Sequence, residues 1–216
     1  MEAVVFDMDG VLFDTERLCM ETWQEFADEK GIEDIETAML GCIGLNRTDT
    51  KQFLLDFYGE DFPYEELRVT VSARMQKKME KEIPILPGVV ELLDYLVEKK
   101  VKIGLASSSR CEVITSHINR AGIEKYFEVI VGGDMIEHSK PLPDIYLIAC
   151  EKLAVAPEKC YAIEDSFNGI RSAYSAGMKA IMVPDLVAPT PEMEEKAYVI
   201  LPSLFAVKEW FKENNL

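Results

Sequence analysis

The chain has 216 residues, of which 39 are Asp or Glu and 23 are Lys or Arg, giving a formal net charge of −16. With 48% apolar residues it has ample material for a core. No run approaches the roughly 18–20 apolar residues of a membrane span, and an acidic balance without a basic stripe argues against nucleic acid or an anionic lipid surface as partner.

Residues 2–7 are a short β-rich run, and the run ends in Asp7-Met8-Asp9-Gly10. Its apolar part, Ala3-Val4-Val5-Phe6, is too short for a secretion signal. Residues 15–81 read as helical. Trp23, Phe26 and Ala27 sit at i, i+3 and i+4, and Phe53, Leu54 and Phe57 repeat that spacing. Leu67, Val71, Met75 and Met79 step by four, as a buried helical stripe does. No β pattern interrupts this stretch. It is expected to form a helical domain over 16–81, inserted into a core of 1–15 and 82–216.

From Pro87 the rhythm changes. A helix from Val89 leads to a strand over 101–106, and a helix near 111–121 leads to a strand over 128–131. A helix near 143–153 precedes the strand 160–163, and one near 166–176 precedes the strand 179–183. Last come the strand 198–201 and a helix from about Ser203. Short apolar strands alternating with helices predict an α/β fold with a parallel sheet. Such sheets bind ligands at the carboxyl ends of their strands.

Those ends carry the chemistry. Asp7 and Asp9 follow the first strand, Ser107-Ser108-Ser109 the second, and Glu164-Asp165-Ser166 the fourth, with Ser139-Lys140-Pro141 between the third and fourth. Four carboxylates brought together would raise one another's pKa, and a divalent cation would relieve the repulsion. Two histidines are too few for a multi-histidine zinc or iron site. Oxygen ligation from Asp7, Asp9, Glu164 and Asp165 suits Mg²⁺. Ser107 and Lys140 suit an anion held beside that metal, as a phosphoryl group would be. Plainer roles are open too: a helix N-cap for Ser107 or for Glu164-Asp165, and a solvated surface lysine for Lys140. There is no GxxxxGK[ST], GxGxxG or GxSxG motif to support a rival chemistry.

The segment from Val4 to Thr15, with Asp7-Met8-Asp9-Gly10 at its centre, resembles the first motif of the haloacid dehalogenase superfamily. Ser107 resembles the second motif, Lys140-Pro141-Leu142-Pro143-Asp144 the third, and Glu164-Asp165-Ser166-Phe167-Asn168-Gly169-Ile170 the fourth. The helical insertion resembles the cap of the β-phosphoglucomutase-like subfamily. The resemblance implies a Rossmann-like core with an inserted α-helical cap. It also implies roles. Asp7 would be the nucleophile that forms an aspartyl phosphate, and Asp9 the general acid and then base. Ser107 and Lys140 would hold the transferring phosphoryl. Asp7, Glu164, Asp165 and the main-chain carbonyl of Asp9 would bind Mg²⁺. Members that cleave carbon–halogen bonds lack an acid at the position of Asp9, so phosphoryl transfer is favoured.

Arg47 matches the cap arginine that the mutase uses for a distal phosphate, and Ser108, Ser109 and Arg110 are further candidate substrate contacts. Cys19 and Cys111, however, stand where the mutase has a histidine and an asparagine. The expected activity is therefore a phosphatase acting on a small phosphorylated metabolite. A β-phosphoglucomutase is the alternative, and a non-catalytic binding protein on this fold the remote one. Five cysteines without a CxxC pair suggest thiols in the cytoplasm, and nothing requires more than a monomer.

Overall fold

The computed structural model describes residues 1–42, 47–81 and 83–216. The chain divides into two compact units, Met1–Phe13 with Ile85–Leu216, and Asp14–Pro84.

The larger unit is built on a six-stranded parallel sheet: β1 (Ala3–Phe6), β2 (Lys102–Ser107), β3 (Val129–Gly132), β4 (Cys160–Glu164), β5 (Lys179–Met182) and β6 (Val199–Ile200). Their order across the sheet is β3-β2-β1-β4-β5-β6. Every residue of β1 and β4 is buried. That is why these strands read as unbroken apolar runs, not as alternating ones. The helices that cover the sheet among the described residues are α5 (Val89–Glu98), α6 (Cys111–Arg120), α7 (Asp144–Leu153), α8 (Phe167–Ser175), α9 (Pro191–Lys196) and α10 (Leu204–Glu213).

Local chemistry sets several of these helix starts. The hydroxyls of Ser166, Thr190 and Ser203 accept the amides of Gly169, Met193 and Ala206, which satisfies donors that a helix leaves open at its N-terminus. α7 turns Ile145, Tyr146, Ala149, Cys150 and Leu153 inward, a spacing of one helical face. Strand boundaries differ from the expected ones by one or two residues. Glu164 shows the most consequential difference: it is the last residue of β4 and fully buried, not a loop residue.

The smaller unit contains α1 (Thr15–Lys30), α2 (Ile35–Cys42), α3 (Arg47–Tyr58) and α4 (Tyr64–Lys81). Gly31, at φ +68°, closes α1 in the left-handed region, where Ile32 N–H returns to the Ala27 carbonyl. Trp23, Phe26, Ala27, Leu54, Leu67 and Val71 make its core. Two stripes are narrower than expected. Leu54 is buried, but Phe57 is 44% exposed and lies against the rings of Phe53 and Tyr58. Met75 is half-buried, whereas Leu67, Val71 and Met79 are buried. Cys19 is half-buried against this core. Lys78 pairs with Glu25 at 2.8 Å, as a surface lysine does.

Candidate active site

The order of the strands places a switch point beside β1. The chain runs outward from β1 through β2 to β3, then crosses back to enter β4 on the other side of β1. A crevice at the carboxyl ends of β1 and β4 follows from that reversal. Phe6 stands in register with Ile163, so the next residues, Asp7 and Glu164, emerge side by side. The Asp7 N–H donates to the Ile163 carbonyl at 3.0 Å, which extends the ladder to the first acid.

Lys140 reaches the same point from the loop between β3 and α7. The bond from Lys140 to Pro141 is cis. The buried Ser172 hydroxyl of α8 donates to the Leu142 carbonyl at 2.7 Å and ties that loop down. Lys140 Nζ donates to Asp7 Oδ1 at 2.6 Å, to Glu164 Oε1 at 2.6 Å and to the Ala106 carbonyl at 3.3 Å. These three bonds use all the donors of an ammonium. With its side chain 8% exposed, Lys140 is not a solvated surface lysine.

Ser107 is buried at the end of β2, and its Oγ accepts the Ser109 amide at 3.1 Å. It does not cap α6. The N-terminal amide of that helix, on Cys111, is taken by the Asp134 carboxylate at 2.9 Å. Ser107 thus keeps its hydroxyl proton for donation. Nor do Glu164 and Asp165 cap α8, because Ser166 does.

Glu164 is held on both carboxylate oxygens. Oε1 accepts from Lys140 and from the Tyr146 hydroxyl at 2.7 Å, while Oε2 faces the hydroxyl of Ser166 at 3.1 Å and its amide at 3.4 Å. Two glycines make room for the acids. A Cβ on Gly169 would lie 1.9 Å from the Glu164 carboxyl carbon, and one on Gly10 would lie 2.2 Å from Asp165 Oδ2. Gly10 also has φ +77°, which glycine adopts readily. The turn at Gly10 is therefore also the seat of an acid.

The possible ligand atoms of Asp7, Glu164 and Asp165 lie within 4.8 Å of one another. The carboxylate of Asp9 is not a member of that group, so the structure gathers three acids where the sequence suggests four. Burial pushes the Asp7 carboxyl up to about 8; Lys140 opposes this, and the negative charges of Glu164 and Asp9 add to it. Burial works against the charge on Lys140 as well, but Asp7 and Glu164 outweigh it and hold the ammonium on. Among the described contacts of Asp7 and Glu164, Lys140 is the cation, and it faces more carboxylates than it can neutralise. An all-oxygen donor set with excess negative charge fits a hard divalent cation.

The remaining expected contacts are less drawn in. Ser108 and Arg110 are exposed and Ser109 is half-buried. Arg110 lies near Asp134, whose carboxyl is held low chiefly by the Cys111 amide. Arg47 begins α3, but its side chain lies outside the described residues, as does Asn46. His138 is on the surface, where its Nδ1 meets Asp144 Oδ1 at 3.0 Å. Sequence reasoning misses Tyr146 and, although the fourth motif includes Gly169, it misses the part that glycine plays. Both sit at ordinary helix positions, so only their neighbours reveal them.

The profile of the haloacid dehalogenase-like hydrolases matches residues 4–183. A phosphorylated carbohydrates phosphatase of Thermotoga maritima is 35% identical over 181 residues, covering 84% of each chain. A β-phosphoglucomutase of Bacillus subtilis is 35% identical over 190 residues, 85% of this chain and 83% of that one. A family hydrolase from Deinococcus radiodurans, solved with bound phosphate and sodium, superposes with a TM-score of 0.83 at 25% identity over 100% of this chain and 96% of its own. The chain belongs to the haloacid dehalogenase-like hydrolases, in their β-phosphoglucomutase-like branch.

Proposed function

We propose that this protein is a Mg²⁺-dependent phosphatase that hydrolyses a small phosphorylated sugar through an aspartyl phosphate on Asp7. The observation that carries the reading is the meeting of Asp7, Lys140, Glu164 and Asp165 at the switch point of the sheet. The names of the relatives supply the substrate class. Asp7, Glu164, Asp165 and the Asp9 carbonyl would hold the cation, which would neutralise charge on the nucleophile and on the phosphoryl oxygens.

The chain's own residues account for the steps. Lys140 holds Asp7 Oδ1 at 2.6 Å and so fixes the carboxylate that attacks phosphorus. The P–O bond to the sugar breaks as the Asp7–phosphorus bond forms. Asp9 gives its proton to the departing sugar oxygen, and it then accepts a proton from the water that attacks the aspartyl phosphate. That second step releases inorganic phosphate and restores Asp7. The Ser107 hydroxyl donates to the phosphoryl oxygens, and the positive charge of Lys140 beside Asp7 offsets the charge that develops on them.

Water is favoured over a second sugar hydroxyl as acceptor because Cys19 and Cys111 replace the mutase-type histidine and asparagine. The similarity to a β-phosphoglucomutase keeps transfer between two sugar positions as the second reading. The five thiols support a cytoplasmic enzyme, and no described helix is long and apolar enough to cross a membrane.

The test is release of inorganic phosphate from a panel of sugar phosphates by the metal-stripped protein, with and without Mg²⁺. Release only with Mg²⁺ is expected. Equal release in excess chelator, or none from any sugar phosphate, would overturn the reading.

A further inference from the structure

Tyr146 is fully buried and among the largest side chains that are. The inward face of α7 is otherwise small or aliphatic at Ile145, Ala149, Cys150 and Leu153. A phenol on such a face needs a partner for its hydroxyl. It finds one in the site: the hydroxyl donates to Glu164 Oε1 at 2.7 Å. Its ring does a second thing, since Lys140 Nζ stands 5.1 Å from the ring centroid, within the range of a cation–π contact. One side chain thus touches both members of the Lys140–Glu164 pair, one through its hydroxyl and the other through its π face.

The consequence is geometric. Glu164 Oε1 takes two donors, from Lys140 and Tyr146, on the side facing α7, while Oε2 takes Ser166 on the other. Without the phenol hydroxyl, Oε1 would be held by Lys140 alone, and the carboxylate, kept only by Lys140 and Ser166, would be less tightly oriented.

We propose that Tyr146 is a positioning residue that locks Glu164 against Lys140, and so sets how tightly Asp7, Glu164 and Asp165 hold a divalent cation. The proposal rests on the phosphatase reading for the metal, and on the hydrogen bond and ring contact for the role. Residues one shell out from a metal commonly govern affinity in this manner, by fixing the orientation of a ligand.

Tyr146→Phe is nearly isosteric, keeps the ring and removes the hydroxyl. Binding of Mn²⁺ to the metal-stripped protein, followed by electron paramagnetic resonance, is the readout, and it needs no turnover. The dissociation constant should rise by about tenfold, the size of a lost outer-shell contact. Leu153→Ala, on the same face of α7, provides the comparison. It weakens packing without touching Glu164 and should leave Mn²⁺ affinity within about twofold of the parent. A Tyr146→Phe affinity within that same margin would overturn the proposal. So would an equal loss in Leu153→Ala, which would trace the effect to loosened packing. A parent protein that binds no Mn²⁺ would overturn the metal site itself, an outcome distinct from both.

Discussion

Gly169→Ala sets two effects of opposite sign against each other. Gly169 is in the first turn of α8 with an ordinary helical backbone, and alanine is the better helix former by up to about 1 kcal/mol. If helix propensity alone mattered, the variant would be more stable. But the new Cβ would lie 1.9 Å from the Glu164 carboxyl carbon and from Oε1, and 2.1 Å from Oε2. Ordinary contact begins at 3.4 Å, so the carboxylate or the helix must give way by about 1.5 Å. Glu164 has no slack for this, because Lys140 at 2.6 Å and Tyr146 at 2.7 Å hold one oxygen and Ser166 the other. Losing one or two hydrogen bonds to a buried charge costs on the order of 1.5–3 kcal/mol each. The clash therefore wins, and a net loss of about 2–4 kcal/mol is expected. Urea unfolding of the metal-stripped protein measures it. A Gly169→Ala protein as stable as the parent, or more so, would refute the seat assigned to Glu164.

Asp7→Asn should fold and lose turnover, since an amide is not a nucleophile; normal activity would sink the aspartyl phosphate. The same variant tests the pH behaviour. Asp7 is raised from 3.8 to about 8 in the folded chain, chiefly by burial. Between those values the folded state keeps a proton that the unfolded state has released. This group therefore makes the metal-free protein less stable as pH rises through that window. Asp7→Asn should flatten the decline, and an unchanged slope of melting temperature against pH would count against it. Metal binding needs the ionised carboxylate, so Mg²⁺ should bind more tightly at pH 8 than at pH 6 and release protons, seen by calorimetry in buffers of different ionisation heat; uptake of protons would contradict this. Asp9→Asn should slow turnover by on the order of 10²–10⁴, and a fall of less than about tenfold would remove it as the acid–base group.

The fold and the heart of the site are legible in the sequence for a physical reason. A parallel sheet buries both faces of its strands, so each strand is a short apolar run and the polar residue that ends it stands out. Asp7, Ser107 and Glu164 are visible in that way, and Lys140 through its place before Pro141. What stays hidden depends on distant partners. Tyr146 has the periodicity of a core residue, and its hydroxyl becomes significant only when β4 brings Glu164 beside it. Gly169 looks like any early helical glycine until the carboxylate that fills its missing side chain is in view. The phenyl ring of Phe57 has the spacing of a buried stripe but is 44% exposed, because spacing names a face without saying what covers it. Ser107 has the composition of a helix cap, yet Asp134, 27 residues further on, takes the amide that a cap would satisfy.

The most direct test of the account is one assay of the purified enzyme with Mg²⁺ on sugar phosphates that include β-glucose 1-phosphate, run with and without β-glucose 1,6-bisphosphate, following free phosphate and glucose 6-phosphate together. The account predicts free phosphate from a sugar phosphate, no need for the bisphosphate, and no isomer ahead of it. Glucose 6-phosphate that appears faster than free phosphate, and only with the bisphosphate, would contradict it and make the enzyme a mutase.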